Sequence, residues 1–399
     1  MRKIILLILA VLPIMLSAKL LPAADCQGSR MPYPAPDSLI SAPDSLVAVM
    51  INHVGRHGAR YATSPKHFAR VVDVMTDANL TPFGKRLLAN INEAVSLTDG
   101  HWGELDSLGQ AEQQGIARRL CMTYPQLVIG QEVRAISSYV GRCIASMDAF
   151  TGTVKRFQSG LGTINTASGE EFNDLVRFFQ VDTDYVTWAK EKPYEPELAD
   201  FTVRTSPASD FCARIFKEIP EGLDLISFAA DVYYCLSSQG AMGLGTSAME
   251  LMTPAEMNRF WEIDNLRQYF SRTATTVSPL PADIAAPLLN DLIQTTDDFI
   301  AGRLKSTVNL RFGHAETLMP LLSLMRLPGC YYLTHYFDTV SSHWQTWHVV
   351  PMASNLQMIL FRCPTSGKYY VRIDLNERPV SIDGMTYIPW PRLRAFLQS

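Results

Sequence analysis

Two apolar runs at opposite ends of the chain each empty into a glycine–histidine turn. LVAVMINHV runs into GRHGAR, residues 55–60, and VNLRFG runs into HAET, residues 314–317. Short apolar runs bounded by glycine-containing turns read as buried strands. In α/β layers the loops beyond the carboxyl ends of strands form the functional rim. Two strands of one sheet, drawn from distant parts of the chain, would bring both histidine turns to that rim.

The rest of the chain fits such a layer. Thr81 before Pro82 marks a helix start, with Phe83, Leu87, Leu88 and Ile91 recurring at near-helical spacing. AEQQGIARRLCMTY predicts a second helix, and EVRAISSYVGRCIASMDAFTGTV a short strand followed by a helix. From about 155 to 300 the segments read as mainly helical. WHVVPMA, LQMILFRC and KYYVRIDLNERPVSI carry the β-branched and apolar content of strands. The expected architecture is an α/β sandwich built from both chain ends with a largely α-helical insertion. Its expected parts are 25–150 and 301–399 for the α/β layer and 151–300 for the insertion. The Pro-, Ser- and Asp-rich stretch 27–46 reads as an irregular lead-in.

Residues 1–24 read as a signal peptide, with MRK as its positive start, an apolar core and small residues at Ala18 and Ala24. The competing reading is an uncleaved N-terminal anchor. Export to a bacterial periplasm is expected, with outer-membrane association or secretion as variants. Removal of this segment leaves about 375 residues, enough for two packed lobes of ~100–200 residues.

A net charge of −4 and pI near 6.1 give no global attraction to nucleic acid, so an anionic substrate needs a local cluster of bases. The seven cysteines show no CxxC spacing, and the eight histidines form no HExxH pattern. The glycine-rich stretches GLGTIN and AMGLGTSAM lack the endings of a P-loop or a dinucleotide fingerprint. No later segment reads as a membrane span, and neither a metal nor an organic cofactor is implied.

GRHGARYATSPKHF concentrates Arg56, His57, Arg60, Lys66, His67 and Arg70 directly after a strand. A basic surface loop would account for this composition. So would a phosphate site, because guanidinium forks match phosphate oxygens and Gly58 lets backbone approach closely. An imidazole whose second nitrogen is held as a donor can attack phosphorus. Taken singly, Arg142 reads equally as a solvated helix residue, His314 as a core or cap histidine, and Glu316 as an acidic residue favoured in a first helical turn.

RHGAR resembles the RHGxR signature of the histidine acid phosphatases, within the histidine phosphatase superfamily. FGHAETLMPLLSLM is similar to the HAE segment of its multiple inositol polyphosphate phosphatase group, and RAISSYVGRCIASMDAF and WHVVPMASNLQMILFRC resemble further parts of that pattern. The resemblance spans roughly 48–375 and implies a metal-independent phosphomonoesterase acting on phytate or related inositol phosphates. It implies His57 as the nucleophile, and Arg56, Arg60, Arg142 and His314 as ligands of the transferring phosphoryl group. Glu316 is implied as the proton donor, in place of the aspartate of the HD form. Ala62 departs from the proline more usual before the threonine. Lys66, Arg70, Arg177 and Arg267 are candidates for neighbouring phosphates. An acidic to near-neutral optimum is expected. A broad phosphatase of small esters and a non-catalytic phosphate-binding protein are the alternatives. Oligomeric state is not legible.

Overall fold

The computed structural model describes residues 20–398. The leader expected over 1–24 therefore falls largely outside the described residues. The strands, in chain order, are β1 (Val47–Arg56), β2 (Glu132–Ser137), β3 (Thr163–Ser168), β4 (Val308–Gly313), β5 (Asn355–Arg362), β6 (Tyr369–Leu375), β7 (Arg378–Val380) and β8 (Ile388–Pro389). They form one sheet in the order β3-β2-β4-β1-β5-β6-β7, with β8 paired to β6. The fold is a mixed α/β sheet covered by helices. β3, β2, β4 and β1 run parallel, whereas β5 and β6 are antiparallel to their neighbours. β3 lies within the 151–300 stretch expected to be mainly helical and joins the sheet beside β2.

Side-chain alternation along the strands explains the two packed layers. Met50 and Val54 of β1 and Met358 and Leu360 of β5 meet helices Ala286–Ile300 and Ala315–Leu324. Ile51 of β1 and Ile359 and Phe361 of β5 meet helices Ser107–Thr123 and Gly141–Phe157. A register shift between Ala48 and Met50 places Ala48 on the same face as Ile51, three positions on. Each fully buried large apolar side chain here contributes about 1.5–3 kcal/mol.

A second cluster forms from helices distant in sequence. Helices Lys66–Thr76 and Pro82–Thr98 pack through Phe68, Val71, Leu87 and Ile91 against Phe211, Ile215, Val232 and Phe260 of the middle region. Thr81 caps its helix as the sequence indicates, accepting from the Gly84 N–H at 3.0 Å. Its own hydroxyl donates to the Arg214 carbonyl at 2.5 Å, tying the cap to that middle region.

WHVVPMA is not a strand. Thr346–Val349 forms a single helical turn, and Val349 and Val350 are both buried. Val349 closes that turn and Val350 follows it outside the sheet, and Ala353 then turns the chain into β5 through a positive φ of 52°.

The parallel ladder positions the site. Arg56 is paired with Gly313, and the His57 N–H donates to the Gly313 carbonyl at 3.0 Å. The Ser138 N–H donates to the Phe312 carbonyl at 3.0 Å. Three neighbouring strands thus end at one rim and deliver Arg56–His57, Ser138 and His314 side by side.

The loop after β1 is held against helix Ser107–Thr123 by a glycine–glycine contact. A Cβ on Gly58 would meet the Gly109 carbonyl oxygen at 2.4 Å, and one on Gly109 would meet the Ala59 carbonyl oxygen at 2.1 Å. The need for glycine at position 58 is therefore set by a helix backbone. Gly109→Ala should lower the Tm, although alanine ordinarily favours a helix by roughly 0.8–1.0 kcal/mol over glycine. Overpacking of about 1–3 kcal/mol outweighs that gain. Thermal unfolding of G109A checks it, and an unchanged or raised Tm would contradict the contact.

Candidate active site

A cavity of 430 Å³ opens at the rim. His57, Arg56, Arg60, Arg142 and Glu316 all line it, although they come from three separate stretches of chain. His314 stands just behind, its ring centroid 5.8 Å from that of His57. Arg142 is the second residue of helix Gly141–Phe157, and Glu316 the second of helix Ala315–Leu324. Both helices therefore turn their N-terminal ends, with their partial positive charge, toward the rim.

The loop that carries His57 is fastened atom by atom. The Gln113 side chain donates to the Arg56 carbonyl at 2.9 Å, and the Gly58 N–H donates to Ser146 Oγ at 3.1 Å. The Ala59 N–H donates to Glu112 Oε2 at 2.7 Å. Burial pushes the Glu112 carboxyl up to about 7.

Within this loop His57 Nδ1 lies 2.9 Å from the carbonyl of Gly58. A carbonyl only accepts, so Nδ1 carries the proton and Nε2 keeps its lone pair. Burial, and then Arg142, Arg56 and Arg60, hold the imidazole well below its usual range. His57 is a neutral, oriented base at ordinary pH.

The charge around it is mostly one sign. Arg30, Arg267 and Arg272 have carboxylate partners. Among the described residues no carboxylate lies within ion-pair distance of Arg56, Arg60, Arg142 or Arg177. The Nε atoms of these four are buried and have no acceptor. Arg56 spends one Nη on the carbonyls of Ser29 and Val350, both at 2.6 Å, and Arg60 one on the Tyr61 carbonyl at 2.8 Å. Buried unpaired guanidiniums are costly, and a bound anion removes that cost. No group of three His, Cys, Asp or Glu among the described residues is arranged to hold a metal.

Among the described residues Glu316 is the one carboxylate lining the cavity, with a third of its side chain exposed. Burial pushes it up, but Arg272 at 3.3 Å, His314 and Arg56 outweigh burial and bring it down to about 2. Arg272 also donates to the Tyr185 hydroxyl.

The outer candidates divide. Arg267 lines the cavity and is paired with Asp264. Lys66 and Arg70 do not line it: Lys66 is exposed, and Arg70 grips Asp231 with two bonds of 2.6 Å. His67 shares that carboxylate at 2.6 Å. Helix Lys66–Thr76 turns these side chains toward helix Leu225–Ser238, where a carboxylate already balances them. Arg177 is buried behind His314 and does not reach the cavity.

Sequence reasoning missed Arg30, Lys192 and Arg272, which line the wall. Arg30 and Ser29 arrive on the lead-in, whose residues Asp25–Arg30 form a buried 3-10 turn. Arg30 donates to Ser237 at 2.8 Å and lies 5.3 Å from the ring centres of Tyr233 and Tyr234. Asp264, Arg267, Gln268, Ser271 and Arg272 fall at helical spacing on one stripe of Pro254–Arg272, a polar period that was legible.

Residues 182–376 match the family described as "Histidine phosphatase superfamily (branch 2)". Over that stretch the chain is similar to that branch. It is 25% identical over 395 residues to human multiple inositol polyphosphate phosphatase 1, covering 88% of this chain and 78% of the relative. The chicken protein of that name is 24% identical over 371 residues, covering 85% and 78%. In fold it is similar to the Bifidobacterium longum multiple inositol polyphosphate phosphatase in complex with inositol hexasulfate, at TM-score 0.77 and 18% identity, covering 94% of this chain and 97% of that one. The D. castellii phytase superposes at TM-score 0.75 and 14% identity, covering 94% and 84%. The general activity of the family is phosphomonoester hydrolysis.

These placements separate two sets of basic residues. Arg142→Ala should weaken inorganic phosphate binding by about 10- to 150-fold, the worth of a charged hydrogen bond of about 1.5–3 kcal/mol. Lys66→Ala should leave it within about twofold, because an exposed charge outside the cavity is screened. Calorimetric titration of both variants with phosphate makes the comparison.

Proposed function

We propose that this phosphatase hydrolyses inositol polyphosphates, phytate among them, through a phosphohistidine on His57, with Glu316 as proton donor. The observation that carries the reading is the neutral His57 imidazole, its Nδ1–H engaged by Gly58 and its Nε2 without a hydrogen-bond partner among the described residues, beside guanidiniums that lack carboxylate partners among those same residues. Three further cations on the outer wall, Lys192, Arg267 and Arg272, suit a substrate with more than one phosphate. The names of the relatives point to the same substrate class.

In the first step His57 Nε2 attacks phosphorus, an N–P bond forms, and the P–O bond to the ring oxygen breaks. Glu316 gives its proton to that oxygen, which leaves as an alcohol. The Gly58 carbonyl, facing Nδ1–H, stabilises the positive charge that the imidazole gains. Arg56, Arg60 and Arg142 stabilise the phosphoryl oxygens as the charge redistributes. In the second step water attacks phosphorus, Glu316 takes its proton, the N–P bond breaks and orthophosphate departs.

Glu316 is ionised in the free protein, so it must gain a proton with the substrate. A polyanion that engages Arg272 and Arg56 withdraws the charges that depress the carboxyl, and its own charge raises it. Protonation of the acid is thereby linked to binding. Export to the periplasm belongs to the same proposal, resting on the leader pattern in 1–24.

Three measurements bear on this. Brief reaction with ³²P-labelled phytate should leave acid-labile label on the wild-type chain and none on His57→Ala. Glu316→Gln should lower kcat on phytate about 10²–10⁴-fold, the usual worth of general acid catalysis, and far less on p-nitrophenyl phosphate, whose leaving group needs no proton. Arg272→Met removes the largest charge that depresses Glu316, so the alkaline limb of kcat/KM for glycerol 2-phosphate, a single-phosphate alkyl ester whose leaving oxygen needs the proton, should move to higher pH. A limb that stays in place or moves down counts against Glu316 as the donor.

A further inference from the structure

Arg177 has no carboxylate within ion-pair distance among the described residues, does not line the cavity, and yet is buried directly against His314. Its Nη1 lies 2.9 Å from His314 Nε2 and 3.4 Å from Ser138 Oγ. Its other Nη is held by the Gln180 side chain, and its guanidinium lies between Tyr139 and Phe179, 4.7 and 5.5 Å from their ring centres. Thr317 pins the two segments together: its Oγ1 accepts from the His314 N–H at 3.0 Å and donates to the Val176 carbonyl at 2.6 Å. The guanidinium is thus fixed by five neighbours and aimed at one ring nitrogen.

A guanidinium has donors and no acceptor. A contact of 2.9 Å from Arg177 requires a lone pair on His314 Nε2, so the proton of the neutral ring sits on Nδ1. The opposite tautomer and the doubly protonated ring would each set an N–H against an N–H. Ser138 reinforces the choice. Its Oγ accepts from the Val140 N–H at 3.3 Å and lies 3.1 Å from Nε2, which leaves its hydroxyl hydrogen free to point there as well. We propose that Arg177 is a positioning residue that locks His314 in the Nδ1–H form and so turns a hydrogen-bond donor toward the transferring phosphoryl group.

The contact on the other side of the ring is the longer one, so the 2.9 Å approach of Arg177 decides the tautomer. His314 Nδ1 is 3.4 Å from Arg142 Nη2, and Arg142 lines the cavity whereas Arg177 does not. With the proton on Nδ1 that approach joins two donors, both available to one anionic oxygen placed between them. The opposite tautomer would spend an Arg142 donor on the Nδ1 lone pair and offer the phosphoryl oxygen nothing from the ring. Burial, and then Arg142, Arg177 and Arg56, lower His314 to about 3 against the pull of Glu316, which keeps the ring neutral while it does this. Arg177 therefore acts through His314, and the outer-phosphate role suggested by the sequence is replaced.

This inference rests on the reading that His314 binds the transferred group, but its first test does not use activity. In ¹⁵N-histidine-labelled wild-type protein, the His314 signals, assigned by their loss in His314→Asn, should show a protonated Nδ1 and an unprotonated Nε2 with no titration near neutrality. In Arg177→Met the ring should become a mixture of tautomers or take up the Nε2–H form, and should titrate at higher pH. With p-nitrophenyl phosphate, which has one phosphate, kcat/KM of R177M should fall about 10–100-fold, as when the partner orienting a metal-bound histidine is removed. Arg177→Lys, which keeps a donor, should retain the Nδ1–H form and recover part of the activity.

A wild-type His314 that is charged or Nε2–H at neutral pH would overturn the proposal. So would an R177M protein whose His314 stays neutral and Nδ1–H, or a folded R177K protein that loses that form. An R177M defect confined to the KM for phytate would return Arg177 to direct phosphate binding. Failure of ³²P labelling at His57 would instead sink the hydrolytic reading and leave the tautomer result standing.

Discussion

The last rung of the parallel β1–β4 pair, the hydrogen bond from the His57 N–H to the Gly313 carbonyl, holds the site together. Parallel pairing makes both strands end at the same rim, so two histidine turns separated by most of the chain emerge as neighbours. β2 ends there too, through the Ser138 N–H on the Phe312 carbonyl, and the helix that follows contributes Arg142. The hydrophobic alternation of β1 and β5 on the two layers fixes the register of this arrangement. A slip by one residue would turn Met50 and Val54 away from their helices and rotate the turns off the rim.

Around that rung the protein tolerates an unfavourable concentration of charge. Arg56, Arg60, Arg142 and Arg177 are gathered without carboxylate partners among the described residues, while both histidines among them stay neutral. Such a cluster costs folding free energy that the two sandwich layers and the staples from Glu112, Gln113 and Ser146 offset. The same charge depresses Glu316, the acidic group that the described residues place on the cavity wall. An entering polyanion relieves the arginines and raises the acid in one event, which links proposed binding and proposed proton transfer through ordinary electrostatics.

Much of the fold was legible because local signals agreed with the tertiary outcome. Thr81–Pro82 starts its helix as its residue types dictate, and the runs before Gly55 and Gly313 are strands because both faces are buried. WHVVPMA misled because β-branched, apolar composition signals burial as much as extension, and Val349 and Val350 are buried in and just after a helical turn. β3 was hidden because its pattern is largely exposed and carries no apolar alternation. The Gly58 requirement was attributed to ligand approach, whereas the Gly109 backbone occupies the space a side chain would need.

By itself the sequence determined that His57 follows a buried strand within a basic glycine turn and that Glu316 opens a helix after a second such strand. Those features depend on residues within a few positions of one another. Only the tertiary structure decided which cations face the cavity, because compensation comes from partners far along the chain. Asp231 takes Arg70 across 161 residues, whereas the lead-in brings Arg30 to the wall through a bond spanning 207. It also decided where the His314 proton sits, because a tautomer is set by the atom opposite each ring nitrogen, and Arg177 reaches Nε2 from 137 residues away.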